Sequence, residues 1–200
     1  MKKYELTSET KVIDGVELHR IKALIYFGDI KEGDLGGWIE SEKNLSQSGN
    51  AWVYDNATVR GNATVCENAT VGENAMVYGY AVVSGNATVD GNARICGNAT
   101  IGGYAMVYGY AVVSGNAVVR GIADFIVFKN WWSSGRYFTW TRSNNKWKVG
   151  CFYGSGEELI AKAYKDSEKS GREYERVVKY VNDILKEEEN DNGNRNKREG

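Results

Sequence analysis

The most regular pattern in the chain is an alanine at every sixth position from Ala51 to Ala123, thirteen times without interruption. Two residues after each alanine stands Val or Ile, and Phe125 takes that place after the last one. Side chains of a strand alternate between its two faces, so the alanine and the aliphatic residue point toward the same interior. A six-residue unit is too short to bury them alone, and successive units must stack. The pattern predicts a β-solenoid over residues 49–125.

The residues between the two inward positions should point outward. The Gly-Asn pairs that precede six of the thirteen alanines should form tight corners, because Gly and Asn tolerate positive φ. Three units close one triangular coil, so residues eighteen positions apart stack about 4.8 Å higher along the axis. The three outward columns are Trp52, Thr70, Thr88 and Met106; Thr58, Met76, Arg94 and Val112; and Thr64, Val82, Thr100 and Val118. Apolar residues become more frequent in these columns toward the C-terminal coils.

The segments on either side of the repeat predict covers for the two open ends of the solenoid, whose strand edges would otherwise be unpaired. Residues 1–48 form the N-terminal cap. Alternating hydrophobicity around Asp14-Gly15 predicts a hairpin there, and the segment 33–39 leads into an irregular first coil.

A small α+β module is predicted over residues 126–187. Residues 136–142 and 146–152 form its hairpin, which needs helices to cover it because two strands alone are marginal. Alternation along the strands indicates that the large aromatic residues of one face pack under those helices. These core residues are Phe138, Trp140 and Trp147.

Two helices are predicted to follow the hairpin. Ser155 and Glu158 have the spacing of a capping box, which begins a helix that ends at about Lys165. Apolar residues at helical spacing predict a longer helix over about 172–186. The last segment, 188–200, is charged and rich in Asn, so we expect it to be disordered.

Two further motifs lie at the start of the alanine repeat and after it. The segment GDLGGWIESEKNLSQ from Gly33, followed by GNAWVYDNA from Gly49, resembles the opening of hexapeptide-repeat proteins found in phages and bacterial prophages. GCFYG from Gly150, before an acidic helix start, resembles their C-terminal module. The resemblance implies a mainly-β protein with a left-handed parallel β-helix. That family has no agreed biochemical activity.

Self-association is predicted from the outward apolar residues of the later coils, which carry few charges. Hexapeptide helices commonly associate side by side, often as trimers, so the resemblance favours a homotrimer. The predicted interface consists of Met76, Val82, Met106, Tyr108, Val112 and Val118.

Composition excludes several classes of protein. Apolar residues make up 42% of the chain but form no uninterrupted run, which argues against a membrane span. The N-terminal sequence lacks the apolar stretch of a secretory signal, so we expect a cytoplasmic protein, in the host cytoplasm if it is phage encoded. Three widely separated cysteines favour packed free thiols over a disulfide framework or a metal site, and no cofactor is expected.

Known enzymes with this type of helix are acyl-CoA-dependent acyltransferases and zinc carbonic anhydrases. The first need a histidine base beside the coils, and the second need three histidine ligands. This chain has one histidine, His19, in the predicted N-terminal hairpin, and its coils have no insertion that would form a donor pocket. We expect a non-catalytic protein, with an acyltransferase kept as an alternative.

Binding residues are expected where the alanine repeat ends. Residues 124–153 contain five basic side chains and one acidic one, interleaved with aromatic residues. The adjacent Trp131 and Trp132 must point apart in an extended segment, so one of them should be exposed. The predicted contact residues are Trp131, Trp132, Arg136, Tyr137, Arg142 and Lys148.

The expected partner is a host protein that the chain inhibits as an anti-defence factor. An alternative is a small nucleotide sequestered between subunits of the oligomer. Aromatic and basic residues together also suit single-stranded nucleic acid, but the predicted burial of Phe138 and Trp140 weakens that interpretation.

Overall fold

Three parallel sheets form the walls of a solenoid in the computed structural model, which describes residues 1–196. An N-terminal hairpin covers one end and a small helical and sheet module covers the other. The strands up to the end of the solenoid are β1 (Tyr4–Ile13), β2 (Val16–Ala23), β3 (Leu35–Ile39), β4 (Trp52–Val53), β5 (Thr58–Val59), β6 (Thr64–Val65), β7 (Thr70–Val71), β8 (Met76–Val77), β9 (Val82–Val83), β10 (Thr88–Val89), β11 (Arg94–Ile95), β12 (Thr100–Ile101), β13 (Met106–Val107), β14 (Val112–Val113) and β15 (Val118–Val119).

The predicted stacking register is confirmed in all three walls. Wall one contains β3, β5, β8, β11 and β14; wall two contains β4, β7, β10 and β13; wall three contains β6, β9, β12 and β15. Parallel pairing joins residues eighteen apart, as when Arg94 pairs with Met76 on one side and Val112 on the other. The solenoid has about five coils.

The inward ladder is the core of the solenoid. Ala51 through Ala117 and the aliphatic residues of the same units are at most 1% exposed. Burying a Val or Ile side chain contributes about 1.5–3 kcal/mol, so the repeated pattern supplies most of the driving force for stacking.

The corners place positive φ on the first residue of each Gly-Asn pair. Gly97 has a φ of +69°, and a Cβ on it would lie 2.9 Å from the backbone nitrogen of Gly115 in the next coil. Asp55, Glu67 and Glu73 adopt the same conformation in the early coils. Close approach of neighbouring corners therefore requires glycine mainly in the later coils.

The N-terminal cap extends wall one. Strands β1 and β2 form the predicted hairpin, with Asp14 and Gly15 both at positive φ, and β2 pairs with β3. Trp52 is predicted to point outward into a column, but it is 1% exposed. The cap covers it, since the rings of Tyr4 and Phe27 lie 6.2 and 5.4 Å from its own.

The C-terminal module is a four-stranded antiparallel sheet under two helices. Its elements are β16 (Phe125–Lys129), β17 (Tyr137–Thr141), β18 (Lys146–Val149), β19 (Phe152–Gly154), α1 (Gly156–Asp166) and α2 (Glu168–Asn196). The predicted hairpin is β17 and β18, flanked by the two strands that the sequence did not indicate. Phe138, Trp140 and Trp147 are buried in the module core, as predicted.

The predicted start of α1 is confirmed, whereas α2 ends later than predicted. The Ser155 Oγ accepts the Glu158 N–H at 3.2 Å, and the Glu158 carboxylate accepts the Ser155 N–H at 2.7 Å. Helix α2 continues past the expected end at 186 to Asn196, so much of the segment 188–200 expected to be disordered is helical. Residues 197–200 lie outside the described part of the chain. Neither helix within residues 1–196 has the length and apolar character that crossing a bilayer requires.

Candidate binding site at the C-terminal end of the solenoid

The module sheet lies across the open end of the solenoid. Thr139 Oγ1 accepts the backbone N–H of Val112 at 2.9 Å, and Ser143 Oγ accepts that of Val118 at 2.7 Å. The Tyr153 ring covers the corner at Gly115, and burial raises the pKa of its phenol above the ordinary value. Side-chain hydroxyls thus satisfy strand edges that would otherwise be open.

A cleft of about 500 Å³ opens between wall one and the start of β17. This volume lies within the range of small-molecule sites, about 300–1,000 Å³. Its lining residues are Asn92, Arg94, Tyr110, Val112, Gly135, Arg136 and Tyr137. We call it the Arg94–Arg136 cleft.

Aromatic side chains join the two halves of this cleft. The rings of Tyr110 and Tyr137 stack with their centroids 4.7 Å apart and their planes 6° from parallel. The Lys129 ammonium lies 5.6 Å from the Tyr137 ring centroid, which adds a cation–π contact. The stack fixes the position of the β17 start against the solenoid corner.

The cleft carries net positive charge. Two of its seven lining residues are arginines and none is acidic. Arg94 is exposed, and it is the one charged residue among the twelve outward positions from Trp52 to Val118. Such a site suits an anionic ligand and offers no carboxylate or imidazole for proton transfer.

Of the two adjacent tryptophans one is exposed, as predicted, but they lie in a turn and their rings meet edge to face with centroids 5.9 Å apart instead of pointing apart. Trp131 is 70% exposed, and Trp132 is 9% exposed. The Trp132 ring packs edge-on against Tyr174 and Phe138, with centroids 5.0 and 6.1 Å away. Trp132 is therefore a core residue, and its prediction as a contact residue is wrong.

The structure separates the other predicted contact residues. Arg136 and Tyr137 line the cleft, but Arg142 donates to the Glu188 carboxylate at 2.5 Å and to the Ala123 carbonyl at 2.9 Å. The hydrogen bond with Glu188 raises the pKa of Arg142 and lowers that of Glu188. Arg142 thus ties α2 to the end of the solenoid. Lys148 is half-buried on β18, outside the cleft.

A smaller pocket of about 260 Å³ shares Arg136 with the cleft. Lys162, Cys151 and Tyr174 also line this pocket. Burial raises the pKa of the Tyr174 phenol above its ordinary value. The Cys151 thiol is exposed rather than packed, which corrects the expectation for this cysteine.

The six residues of the predicted oligomer interface do not share one wall. Met76 and Val112 belong to wall one, Val82 and Val118 to wall three, and Met106 to wall two. Val112 and Val118 are half-buried, and their backbone donors are engaged by the module. The repeat of thirty residues between the tyrosine-rich segments is not a multiple of the eighteen-residue coil, which spreads such residues around the prism.

Exposed apolar residues are also present on and beside β13, the last strand of wall two. Tyr104, Met106 and Tyr108 alternate with buried residues, and they are 79%, 47% and 45% exposed. Ile122, at 80% exposure, lies in the 3-10 turn Ile122–Asp124 that follows the last solenoid strand. We call these four residues the last-coil surface.

Sequence reasoning missed four lining residues of the cleft, which are Asn92, Arg94, Tyr110 and Gly135. A signal was present for two of them. Arg94 interrupts an uncharged set of outward positions, and Tyr110 takes a corner position that Asn occupies in most units. Their meeting with residues 135–137 is a contact between distant parts of the chain.

Comparison with known proteins supports a hexapeptide-type β-helix. The family described as YdcK beta solenoid repeat matches residues 51–67 and 93–109. The chain is similar to a protein of Escherichia coli (strain K12) named "Uncharacterized acetyltransferase YdcK", with 40% identity over a 63-residue alignment. That alignment covers 28% of this chain and 19% of the relative's length. Within residues 1–196, no group of three or more His, Cys, Asp or Glu side chains could hold a metal ion.

Proposed function

We propose that this chain is a non-catalytic binding protein that contacts a partner protein through the last-coil surface. The observation that carries this proposal is the exposure of Tyr104, Met106, Tyr108 and Ile122 at the C-terminal end of the solenoid. Large exposed aromatic and Met side chains are enriched at protein interfaces and bury much apolar area on binding. A polar repeat with few charges surrounds them.

The role that we propose is inhibition of a host protein by a phage-encoded or prophage-encoded factor acting in the host cytoplasm. Support for this part comes from the sequence motifs at Gly33 and Gly150, which resemble phage hexapeptide-repeat proteins. A solenoid fixed by backbone pairing holds the main chain under these side chains in place, so binding costs little backbone entropy. The inhibitor would act by covering an apolar surface of its target.

Capture from a bacterial host lysate tests the proposal with a matched control. The test variant is Tyr104→Ser with Tyr108→Ser, and the control is Tyr80→Ser. Tyr80 is 65% exposed at a corner position equivalent to that of Tyr104, but it lies outside the last-coil surface. We expect the wild type and the control to retain one stable partner and the double variant to lose it. Equal capture by all three proteins would refute the proposed surface.

Light scattering of the same three proteins separates a host partner from self-association. A homotrimer that survives in the double variant while capture is lost assigns the last-coil surface to the host protein. A trimer that dissociates only in the double variant assigns the surface to the oligomer, and the proposal for a host contact there would then be wrong.

Acetyl transfer is the second candidate function, and the name of the YdcK relative favours it. In this chain His19 is half-buried on β2, where its backbone pairs with Thr10 and Ile39 in the N-terminal cap. Incubation with acetyl-CoA and a panel of amine acceptors tests the alternative. Turnover that disappears with His19→Ala would establish it, whereas absence of turnover or an unchanged rate would remove this histidine as the base.

A further inference from the structure

The two arginines of the cleft lack ion-pair partners in the part of the chain that the structure describes. Among the residues that the structure describes, five arginines form ion pairs with carboxylates, and these are Arg20, Arg60, Arg142, Arg172 and Arg176. Arg94 and Arg136 form no ion pair, and no hydrogen bond of their guanidinium groups is present in the described part of the chain. Arg120, which forms no ion pair with any described residue either, lies outside the cleft.

Two arginines line one cleft that has no acidic residue, so an anion bound there would meet two positive charges. Guanidinium is planar and carries five donors, which match the oxygens of phosphate or carboxylate in pairs. The position of Arg94 on wall one is rigid, since β11 pairs with a strand on each side. Arg136 directly precedes β17 and approaches from the module. The anion would thus bridge the solenoid and the module.

An aromatic ring lies beside these charges. The Tyr110–Tyr137 stack uses one face of the Tyr110 ring, and Tyr110 remains 52% exposed. Asn92 is at the same corner one coil earlier, where its exposed amide offers both donors and an acceptor. A planar heterocycle stacked on Tyr110 would meet these groups with its edge.

We propose that the Arg94–Arg136 cleft binds a small phosphorylated ligand with a planar ring, the chemistry of a nucleotide. Arg94 and Arg136 hold the phosphate groups, Tyr110 stacks on the ring, and Asn92 contacts its edge. The site is complete within one chain, so it does not require the oligomer. It is separate from the last-coil surface, and neither proposal depends on the other.

Calorimetric titration of the full chain tests the site with inorganic pyrophosphate, the four common nucleoside diphosphates and adenosine. Pyrophosphate reports on the arginines without any ring, and adenosine reports on the ring without phosphate. We expect at least one diphosphate to bind more tightly than pyrophosphate and adenosine to bind weakly. Arg94→Gln and Arg136→Gln should each weaken diphosphate binding about tenfold or more, because each removes a charge-assisted contact.

Two further variants make the result specific. Tyr110→Leu should weaken the nucleoside diphosphate about tenfold while it leaves pyrophosphate within about twofold, since stacking contributes only when a ring is present. Arg120→Gln, which removes an equally unpaired arginine elsewhere, should change neither affinity. Thermal melts of the unliganded variants verify that each one is folded.

The outcomes decide the proposal. Absence of binding by pyrophosphate and by all four diphosphates at millimolar concentration overturns it. Binding that Arg94→Gln and Arg136→Gln leave unchanged, or that Arg120→Gln weakens equally, also overturns it, since the contact would then be general electrostatic attraction. Binding of pyrophosphate and diphosphates with equal affinity would contradict the role of Tyr110.

Discussion

Burial of Lys3 should make the folded protein more stable as the pH rises above neutral. Its side chain is 2% exposed at the N-terminal end of the solenoid. The ammonium donates to the carbonyls of Ala51 and Gly49 at 2.8 and 3.3 Å and lies 4.9 Å from the Phe27 ring centroid. It has no carboxylate partner among the ion pairs of the described residues, and burial lowers its pKa from 10.5 to about 8.

The sign of the effect follows from the direction of this pKa change. The unfolded chain keeps the Lys3 proton up to pH 10.5, whereas the folded chain releases it near pH 8. The cost of burying the charge is therefore fully present below pH 8, and stability rises between pH 8 and 10.5. Between pH 7 and about 9.5 the gain amounts to at most about 2 kcal/mol, because one pKa unit corresponds to about 1.4 kcal/mol.

Urea unfolding of the wild type, Lys3→Met and Lys2→Met at these two pH values measures the gain. Methionine keeps the length of the side chain and removes the amine. We expect the free energy of unfolding of the wild type to increase relative to Lys3→Met by up to about 2 kcal/mol at the higher pH. Lys2, which is exposed and pairs with Glu42 at 2.6 Å, is the control and should follow the wild type. A pH-independent difference between wild type and Lys3→Met would refute the reasoning.

Three further predictions concern packing and backbone geometry, and urea unfolding measures each. Gly97→Ala should destabilise by more than about 1 kcal/mol, whereas Gly102→Ala should be neutral or slightly stabilising, because only Gly97 has positive φ and a close backbone neighbour. Equal effects would contradict the corner geometry. Thr139→Val should cost about 1–3 kcal/mol, since it leaves a partly buried N–H of β14 without an acceptor, and no loss would mean that water replaces the hydroxyl. Trp132→Ala should cost about 3–5 kcal/mol and Trp131→Ala close to nothing, and similar values would reverse their assignment to core and surface.

Much of the fold was predictable because the information is local and repeated. Every unit places Ala and an aliphatic residue at the same spacing. The inward positions of one ambiguous unit can therefore be assigned from the units on either side of it. The same holds for the Asp14-Gly15 turn and the capping box at Ser155, where a few adjacent residues determine the backbone. Strands β16 and β19 escaped prediction because short strands are stabilised by their neighbours in the sheet and carry weak local signals.

The candidate site was predictable only in part. Arg136 and Tyr137 were identified from the cluster of aromatic and basic residues, but Trp132 and Arg142 in the same cluster serve the core and the helix contact. The charge and aromaticity of a side chain indicate which ligands it could bind. They do not indicate whether the side chain already contacts other residues of the folded protein.

The sequence by itself determined the solenoid, its register and the placement of its caps, because alternation and a fixed repeat leave one way to bury the apolar residues. Only the tertiary structure decided which polar and aromatic side chains remain available to a ligand. Lys3 and Trp52 are covered by the N-terminal cap, and Arg142 is satisfied by α2. Arg94 and Arg136 line one cleft without an ion-pair partner among the described residues, because the module docks on the last coil and brings together residues that are far apart in the chain.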